Sequence, residues 1–289
     1  LAPAALVTRR GPGETLHAGS DGLDALFSAR PGPRRTAVGG DPLILLAGVD
    51  GAHTESLSEY GNYAVLRQAV SGLTPEAVIQ TVKDSGLVGR GGAAFPTGVK
   101  WEGARNALLA SGGAGYLICN ADEGEPGTFK DRVLLEARPH LLLEGMALAA
   151  FATGITQAYL FVRGEYPDAA RILQGAIDEA EAAGLLGPGA LGGAFSCGEE
   201  TALFEAIEGR RGFPRIKPPY PTTHGLFGRP TVINNVETLC AVPGIVRHGA
   251  AWFRALGTEK SAGSKLISVS GHVARPGVYE ITPGITLRE

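Results

Sequence analysis

The chain has 289 residues, a length typical of about two domains, and its hydrophobic content of 44% is ample for a buried core. A net charge of −3 and a pI near 6.1 argue against a nucleic-acid partner. No apolar run approaches the ~20 residues of a membrane span, so direct membrane insertion is not expected. The three cysteines, Cys119, Cys197 and Cys240, show no paired spacing, which favours free thiols in a reducing, cytoplasmic compartment.

The first predicted elements are an arm and two helices. Residues 1–40 are rich in Pro, Gly, Ala and Arg, and we expect an irregular or wrapping arm without a signal peptide. A short helix is predicted around residues 63–70, and a second helix over 75–85. Thr74 can cap the second helix, Pro75 fits its first turn and Gly86 can end it.

Residues 89–101 read GRGGAAFPTGVKW and are unusually rich in glycine. Glycine lets a backbone approach a ligand closely, and N–H groups beside Arg90 and Lys100 suit a phosphate. The segment does not fit the dinucleotide fingerprint, because it follows a helix rather than a strand, and because Pro96 and Gly98 disfavour a helix just after it. It also lacks the adjacent Gly-Lys-Ser/Thr of a P-loop. We therefore predict a phosphate-binding loop of neither standard kind.

A second segment, residues 119–132, reads CNADEGEPGTFKDR and follows an apolar run at 116–119 that predicts a strand. Open α/β sheets place their ligands where strands end in polar loops. The two segments together predict a phosphate-bearing cofactor site with an acidic companion site. Clustered carboxylates also suit hard cations, but the twelve-residue calcium pattern is missing, so no metal site is predicted.

Apolar and amphipathic segments alternate through the middle of the chain. After the strand at 116–119, the pattern predicts a helix over 139–153, a strand over 159–162, a helix over 167–183, and helices over 199–208 and 235–248. This rhythm predicts an α/β fold with a parallel sheet and flanking helices. Residues 266–270 and 278–281 flank a turn with glycine and proline, which predicts a β-hairpin.

Further motifs occur in the order found in a known family. They are RGEY at 163–166, CGEETAL at 197–203, KPPYP at 217–221, NNVET at 234–238 and SVSGHV at 268–273. With the two segments above, they make the chain resemble the NADH-binding flavoprotein subunit of complex I (NADH:quinone oxidoreductase). The chain is equally similar to the diaphorase subunits of NAD-linked hydrogenases and formate dehydrogenases.

The resemblance implies FMN held in a Rossmann-like domain, with NADH stacking over the flavin and giving it a hydride. Electrons would leave singly to iron–sulfur partner subunits of a larger complex. The flavin carries the chemistry, so no residue is expected to be catalytic in its own right, and Glu199 is the nearest candidate. The resemblance assigns to FMN the residues Arg90, Gly91, Gly92, Lys100, Asn120, Asp122, Gly198, Glu199, Asn234 and Asn235. It assigns to NADH the residues Phe95, Glu125, Glu200, Lys217 and Tyr220.

The resemblance also predicts a division of the chain. Residues 1–85 would form an N-terminal arm and helical region, 86–260 the FMN- and NADH-binding Rossmann-like domain, and 261–289 the start of a small β-grasp domain. The chain departs from the family pattern by a shorter stretch before Phe195, by a missing aromatic after Lys100-Trp101, and by the absence of a C-terminal iron–sulfur cysteine motif. We expect an iron–sulfur cluster only in a missing C-terminal region or in a partner subunit.

Several residues have a second interpretation. Asn234 and Asn235 precede an apolar helix and can cap it, with Glu237 completing a capping box, so that one amide caps while the other faces the cofactor. Glu199 and Glu200 can stabilise the first turn of a helix, or they can accept hydrogen bonds from the NADH ribose and repel a 2′-phosphate. A thiol at Cys197 can lie at a helix N-terminus, but no partner can be assigned, which favours a structural role over a nucleophile.

The leading hypothesis is an FMN-dependent NADH dehydrogenase (diaphorase) module. The alternative is a flavin-free structural or assembly subunit descended from the same family, and the three departures from the family pattern motivate it. Against the alternative, the glycine and acidic segments keep charged residues that a purely structural protein does not require.

Overall fold

The structure is a computed structural model that describes residues 7–10, 14–17, 36–50, 53–187, 194–199, 203–209, 215 and 217–286. The chain divides into two units, Leu1–Arg35 and Thr36–Glu289. In the first unit, Val7–Arg10 (β1) and Glu14–His17 (β2) pair as an antiparallel hairpin. The prediction of an irregular arm is wrong for these residues. Two paired strands hydrogen-bond each other's backbone N–H and C=O groups, and this pairing does not depend on the amino-acid composition of the segment.

The second unit contains helices and strands that alternate along much of its length. Its helices and strands are, in chain order, β3 (Val38–Gly40), α1 (Leu57–Tyr60), α2 (Ala64–Gly72), α3 (Pro75–Asp84), α4 (Thr97–Ser111), β4 (Tyr116–Ala121), α5 (Lys130–Ala137), α6 (Pro139–Thr153), β5 (Gln157–Val162), α7 (Pro167–Ala182), β6 (Ala194–Glu199), α8 (Leu203–Ile207), β7 (Thr231–Asn235), α9 (Val236–His248), α10 (Ala250–Arg254), β8 (Gly257–Thr258), β9 (Ser261–Ala262), β10 (Lys265–Val269) and β11 (Gly277–Ile281). No helix among the residues described is long and apolar enough to cross a membrane.

The centre of this unit is a four-stranded parallel sheet with the order β6–β5–β4–β7. In β4, Leu117, Ile118 and Cys119 are fully buried, as is typical of a parallel strand covered on both faces. The predicted α/β fold with a parallel sheet and flanking helices is confirmed. The chain builds β4, β5 and β6 outward in one direction and then returns to the other side of β4 with β7, so the strand order switches between β4 and β7.

Helix α6 packs directly against α9, the helix that follows β7. Nearly every residue of α6 is buried, as expected for a helix that is apolar on all sides. At Gly145 an added Cβ would lie 2.1 Å from the carbonyl oxygen of Leu239 in α9, so the two backbones touch. This contact fixes the position of α9 relative to the sheet.

The predicted helix over 75–85 is confirmed as α3, and the Thr74 hydroxyl accepts a hydrogen bond from Ala77 N at 3.2 Å. The prediction that Pro96 and Gly98 disfavour a helix after the glycines is wrong, because α4 begins at Thr97. Pro96 precedes the helix, where a missing N–H costs nothing. At Gly98 an added Cβ would lie 2.5 Å from Lys83 Cγ and 2.7 Å from Lys83 N, so glycine allows α4 to cross α3 closely.

Replacing Gly98 with alanine should destabilise the protein by roughly 1–3 kcal/mol, because the methyl group overlaps the backbone of Lys83. Gly103 in the same helix is the matched control. An added Cβ there meets no atom of the described residues within 4 Å, so alanine should stabilise the helix by roughly 0.5–1 kcal/mol. Urea unfolding measures both changes, and equal effects at the two positions would contradict the close crossing of the helices.

The predicted helix over 199–208 is only partly correct. Glu199 is the last residue of β6, and the helix in the described residues is the shorter α8. Cys197 pairs with Leu160 in the middle of β6 instead of starting a helix. The sequence AFSCGE carries no strand signal because its residues are mostly small or polar, and pairing along the edge of β5 decides the conformation.

The predicted C-terminal hairpin is confirmed as β10 and β11, and β3 extends it by pairing in parallel with β11. Glu280 on β11 is fully buried, and its carboxylate accepts hydrogen bonds from the backbone of residues 44–46. The hairpin is therefore attached to a segment far away in the sequence. The predicted domains 1–85, 86–260 and 261–289, with a β-grasp start in the last, stay a prediction.

Candidate functional site

The glycine segment forms a closed loop between α3 and α4. Its base is held by a bridge between Val88 and Pro96 and by two hydrogen bonds, Gly89 N to Phe95 O and Thr97 N to Leu87 O, each 2.9 Å long. Residues 91–95 are exposed, and Gly92 has a φ of +110°, which favours glycine. A loop with a fixed base and an exposed tip can present backbone N–H groups to a ligand.

This loop lies on the start of α9. Arg90 N donates to Thr238 Oγ1 at 2.8 Å, and an added Cβ at Gly91 would lie 3.1 Å from Asn235 Cβ. Glycine at position 91 therefore lets the loop rest against the Asn235 side chain. The structure places the loop beside the carboxyl end of β7.

The carboxyl ends of β4 and β7 meet at the switch in strand order. Asn120 pairs with Asn235 across these ends, and the Asn120 side chain accepts a hydrogen bond from Asp122 N at 3.0 Å. Asp122 and Glu125 follow β4 and are exposed. The carboxyl edge at a topological switch point is where open α/β sheets bind ligands, so the glycine and acidic segments lie where the sequence predicts a site.

Lys100, in the first turn of α4, points to the same edge. Its ammonium donates to the carbonyl of Ile233 in β7 at 2.8 Å and lies 5.9 Å from the centre of the Phe95 ring. Burial, and then the neighbouring charge of Lys217, lower the pKa of Lys100. Its partner is a carbonyl oxygen rather than a carboxylate, so this positive charge is available to an anion.

Two adjacent asparagines at the end of β7 have different partners. Asn235 caps α9, since its Oδ1 accepts from Glu237 N at 3.0 Å, and its Nδ2 donates to Asp131 Oδ2 at 2.5 Å. Asn234 is buried and accepts a hydrogen bond from Trp101 Nε1 at 2.9 Å, while its Nδ2 has no hydrogen-bond partner among the residues that the structure describes. Capping by one of the two asparagines is confirmed, but the predicted capping box is wrong, because the cap is Asn235 and the Glu237 carboxylate binds Lys130 and Leu266 N instead. The flavin contacts assigned to both asparagines stay predictions.

Comparison with known proteins agrees with this geometry. The family model described as the Nuo51 FMN-binding domain matches residues 82–244, more than half of the chain. The chain belongs to this family.

Relatives of this chain cover most of its length. One NADH-quinone oxidoreductase subunit of Rhizobium meliloti (strain 1021) is 50% identical over 262 residues, which are 85% of this chain and 62% of that protein. The corresponding protein of Escherichia coli (strain K12) is 48% identical over 252 residues, which are 81% of this chain and 56% of that protein. The resemblance to the NADH-binding flavoprotein subunit is confirmed, although the chain spans about three fifths of the length of these curated relatives.

A solved structure resembles this chain in fold as well as in sequence. The crystal structure of an NAD+-reducing NiFe hydrogenase in the H2-reduced state is 44% identical, with a TM-score of 0.74. The match covers 87% of this chain and 43% of that chain.

The residues present at the site fit FMN. Gly91 and Gly92 are exposed, so a phosphate can approach the backbone of the loop at these two residues. Lys100 supplies a positive charge 5.9 Å from the centre of the Phe95 ring of the loop, and the buried Asn234 Nδ2 is a donor without an acceptor in the described part of the chain. These are the groups that an anionic phosphate and a ring or chain bearing acceptor oxygens require.

The side chain of Arg90 binds groups outside the glycine segment. Its Nη2 donates to the carbonyls of Ala262 and Ser264, at 2.8 and 3.1 Å, and Nε lies 3.9 Å from Glu237. Burial lowers the pKa of Arg90, and its buried Nη1 has no hydrogen-bond partner within the described ranges. The side chain attaches the loop to the strand β9 region, and its predicted role at the FMN phosphate stays a prediction.

The other assigned residues are exposed or incompletely described. The Phe95 and Tyr220 side chains are 49% and 61% exposed, as suits rings that a ligand can stack on. Lys217 is exposed and lies close enough to Lys100 to affect its charge.

Three residues of the CGEE motif, Cys197 to Glu199, are described, and only in their backbone. Gly198 and Glu199 end β6, and Glu199 pairs with Val162 at the carboxyl edge of the sheet. Glu200 lies outside the described residues. The roles of Gly198, Glu199 and Glu200 stay predictions.

The sequence pattern did not predict a buried charged cluster of Lys130, Asp131 and Glu237, which contacts the acidic loop and Asn235. Lys130 Nζ lies 2.7 Å from Asp131 and 2.8 Å from Glu237, and Glu237 also accepts from Leu266 N at 3.0 Å. Burial lowers the pKa of Lys130, but the Glu237 and Asp131 carboxylates outweigh it and hold that pKa above its ordinary value. The adjacent Lys130 and Asp131 at the start of α5 were the only local sign of this cluster. They do not predict burial, because charged residues at a helix start are usually in contact with water.

Proposed function

We propose that this chain is the FMN- and NADH-binding part of an NADH dehydrogenase (diaphorase). The observation that carries the proposal is the glycine loop with Lys100 at the switch point of a parallel sheet, in a chain of an FMN-binding family. Bound FMN supplies the chemistry by accepting a hydride and releasing electrons one at a time. The protein provides binding, orientation and electrostatics.

The FMN phosphate would bind the N–H groups of Gly91 and Gly92 and the ammonium of Lys100. Asn120, Asn234 and Asn235 would contact the rest of the flavin from the ends of β4 and β7, and Asp122, Gly198 and Glu199 would complete the pocket. The rigid base of the loop and the pairing of Asn120 with Asn235 support this assignment, because preformed donors lose little freedom on binding.

NADH would stack beside the flavin, with the exposed Phe95 and Tyr220 rings as platforms. Lys217 would pair with its phosphates, and a carboxylate of Glu125 or Glu200 would accept hydrogen bonds from the ribose. A carboxylate at that place repels the 2′-phosphate of NADPH, so the proposed substrate is NADH.

The partners would be iron–sulfur subunits of a larger complex that accept the electrons. This part of the proposal rests on the names of the relatives, which are subunits of NADH-quinone oxidoreductase and an NAD+-reducing hydrogenase. Such a module would work in the cytoplasm or on a cytoplasm- or matrix-facing arm.

Reconstitution with FMN tests the proposal. After removal of excess FMN by gel filtration, the protein should stay yellow, and NADH should bleach it without oxygen while NADPH bleaches it more slowly. A protein that takes up no FMN would instead support the flavin-free structural alternative.

A further inference from the structure

Asp131 joins three segments around the proposed FMN site. It is 2% exposed, lies in the first turn of α5, and has a partner at each polar atom of its side chain. Oδ1 accepts from the Lys130 ammonium at 2.7 Å, and Oδ2 accepts from Asn235 Nδ2 at 2.5 Å. A buried carboxylate with directional partners on both oxygens is held in one orientation.

The contact with Asn235 leads to the glycine loop. The Asn235 amide is held at both ends, because its Oδ1 accepts from Glu237 N while its Nδ2 donates to Asp131. The position of an added Cβ at Gly91 lies 3.1 Å from Asn235 Cβ and 3.6 Å from Asn235 Cγ. The orientation of this amide therefore determines the surface on which the loop rests.

The backbone of Asp131 leads to the acidic loop. Asp131 N donates to Glu123 Oε1 at 2.9 Å, and Arg132 N donates to Glu123 Oε2 at 3.2 Å. Glu123 is only 6% exposed, whereas Asp122 and Glu125 on either side of it are exposed. The Arg163 guanidinium binds the carbonyl of Glu123, so this loop is held from two directions.

We propose that Asp131 is a positioning residue that fixes the positions of the glycine loop and the acidic loop relative to each other. It acts on the first through the Asn235 amide and on the second through Glu123, and it touches the cofactor in neither case. The effect of Asp131 on cofactor binding rests on the proposed function, since these two loops are the predicted FMN- and NADH-binding segments. The Lys130 ammonium, which also pairs with Glu237, compensates the buried charge that this arrangement requires.

Asp131→Asn tests the proposal, with amide hydrogen exchange as the main measurement. Asparagine has one acceptor oxygen in place of two, so it cannot accept from both Lys130 and Asn235 in this geometry, and the Asn235 amide is no longer held firmly at both ends. In the cofactor-free protein, the Gly89 and Arg90 amides should exchange roughly tenfold faster, because loop opening becomes easier. FMN affinity, measured by quenching of flavin fluorescence, should fall by roughly tenfold or more.

Glu144→Gln is the matched control, since it removes another buried carboxylate that binds Leu66 N at 2.9 Å and the Tyr60 hydroxyl. It should leave loop exchange unchanged at similar global stability. Asp131→Asn combined with Asn235→Asp exchanges the donor and acceptor of the broken hydrogen bond and should restore loop protection. If Asp131→Asn does not fold, Asn235→Ser keeps the helix cap, breaks only the contact with Asp131, and should show the same faster exchange.

Unchanged loop exchange in a folded Asp131→Asn or Asn235→Ser protein would overturn the positioning role. So would exchange that rises equally at all amides, because the effect would then reflect global stability alone. A wild-type protein that binds no FMN would contradict the proposed function instead, and the exchange measurement would still decide the role of Asp131.

Discussion

Lys100→Glu should abolish FMN retention, with a loss of affinity of at least about 100-fold. The wild-type ammonium lies at the carboxyl edge of the sheet, bonded to Ile233 O at 2.8 Å and near the positive charge of Lys217. Glutamate replaces a donor by an acceptor beside the predicted phosphate and also faces the Ile233 carbonyl. Charge-assisted hydrogen bonds of this kind contribute roughly 1.5–3 kcal/mol, and a repulsive charge adds to their loss. Flavin absorbance per protein after gel filtration measures the retained FMN.

Lys260→Glu is the control, because it makes the same charge change at an exposed lysine in the β8–β9 turn. It should retain full flavin. If Lys100→Glu also retains full flavin while folded, Lys100 does not bind the phosphate and another cation must do so.

The lowered pKa of Lys100 adds a pH dependence to FMN binding. Burial and Lys217 favour the neutral amine in the free protein, whereas a phosphate favours the ammonium. FMN affinity should therefore be full below the lowered pKa and decline as the pH rises through it, because binding then requires uptake of a proton. Lys100→Met should bind FMN weakly with a flatter profile over the same range.

Glu280→Ala should lower the free energy of unfolding by at least about 3 kcal/mol. The Glu280 carboxylate is fully buried and accepts from Ile44 N at 2.7 Å, Leu45 N at 2.9 Å and Leu46 N at 3.1 Å, and from the Ser264 hydroxyl at 2.5 Å. Alanine leaves these donors buried without an acceptor, at about 1–3 kcal/mol for each that water does not reach. The expected loss is a large fraction of the roughly 5–15 kcal/mol of a typical domain.

Urea unfolding followed by circular dichroism measures this loss. Glu259→Ala removes an exposed carboxylate close in sequence and should change the unfolding free energy by less than about 0.5 kcal/mol. An unchanged midpoint in Glu280→Ala would show that the 44–46 segment does not depend on the hairpin. Glu280→Gln should lie between the wild type and the alanine variant, because its amide offers one acceptor oxygen instead of two.

The sequence by itself determined the α/β class, the parallel sheet and the order of most helices and strands. These follow from short-range rules: the Thr74 cap and Pro75 start α3, and apolar runs such as 116–119 form buried strands. The motifs also identified the two loops that meet at the switch point, because strand ends and loops alternate regularly along a βαβ chain.

Only the tertiary structure decided the features that depend on contacts between distant segments. Gly98 taken alone predicts the interruption of a helix, yet it lies in the first turn of α4. Glycine is required there because α4 crosses α3 so closely that a side chain would overlap Lys83. The strand β3 and the cluster of Lys130, Asp131 and Glu237 exist through partners more than a hundred residues away in sequence. Local propensities differ by a fraction of a kcal/mol, whereas a backbone overlap or an unpaired buried charge costs several times more, so packing decides wherever the two conflict.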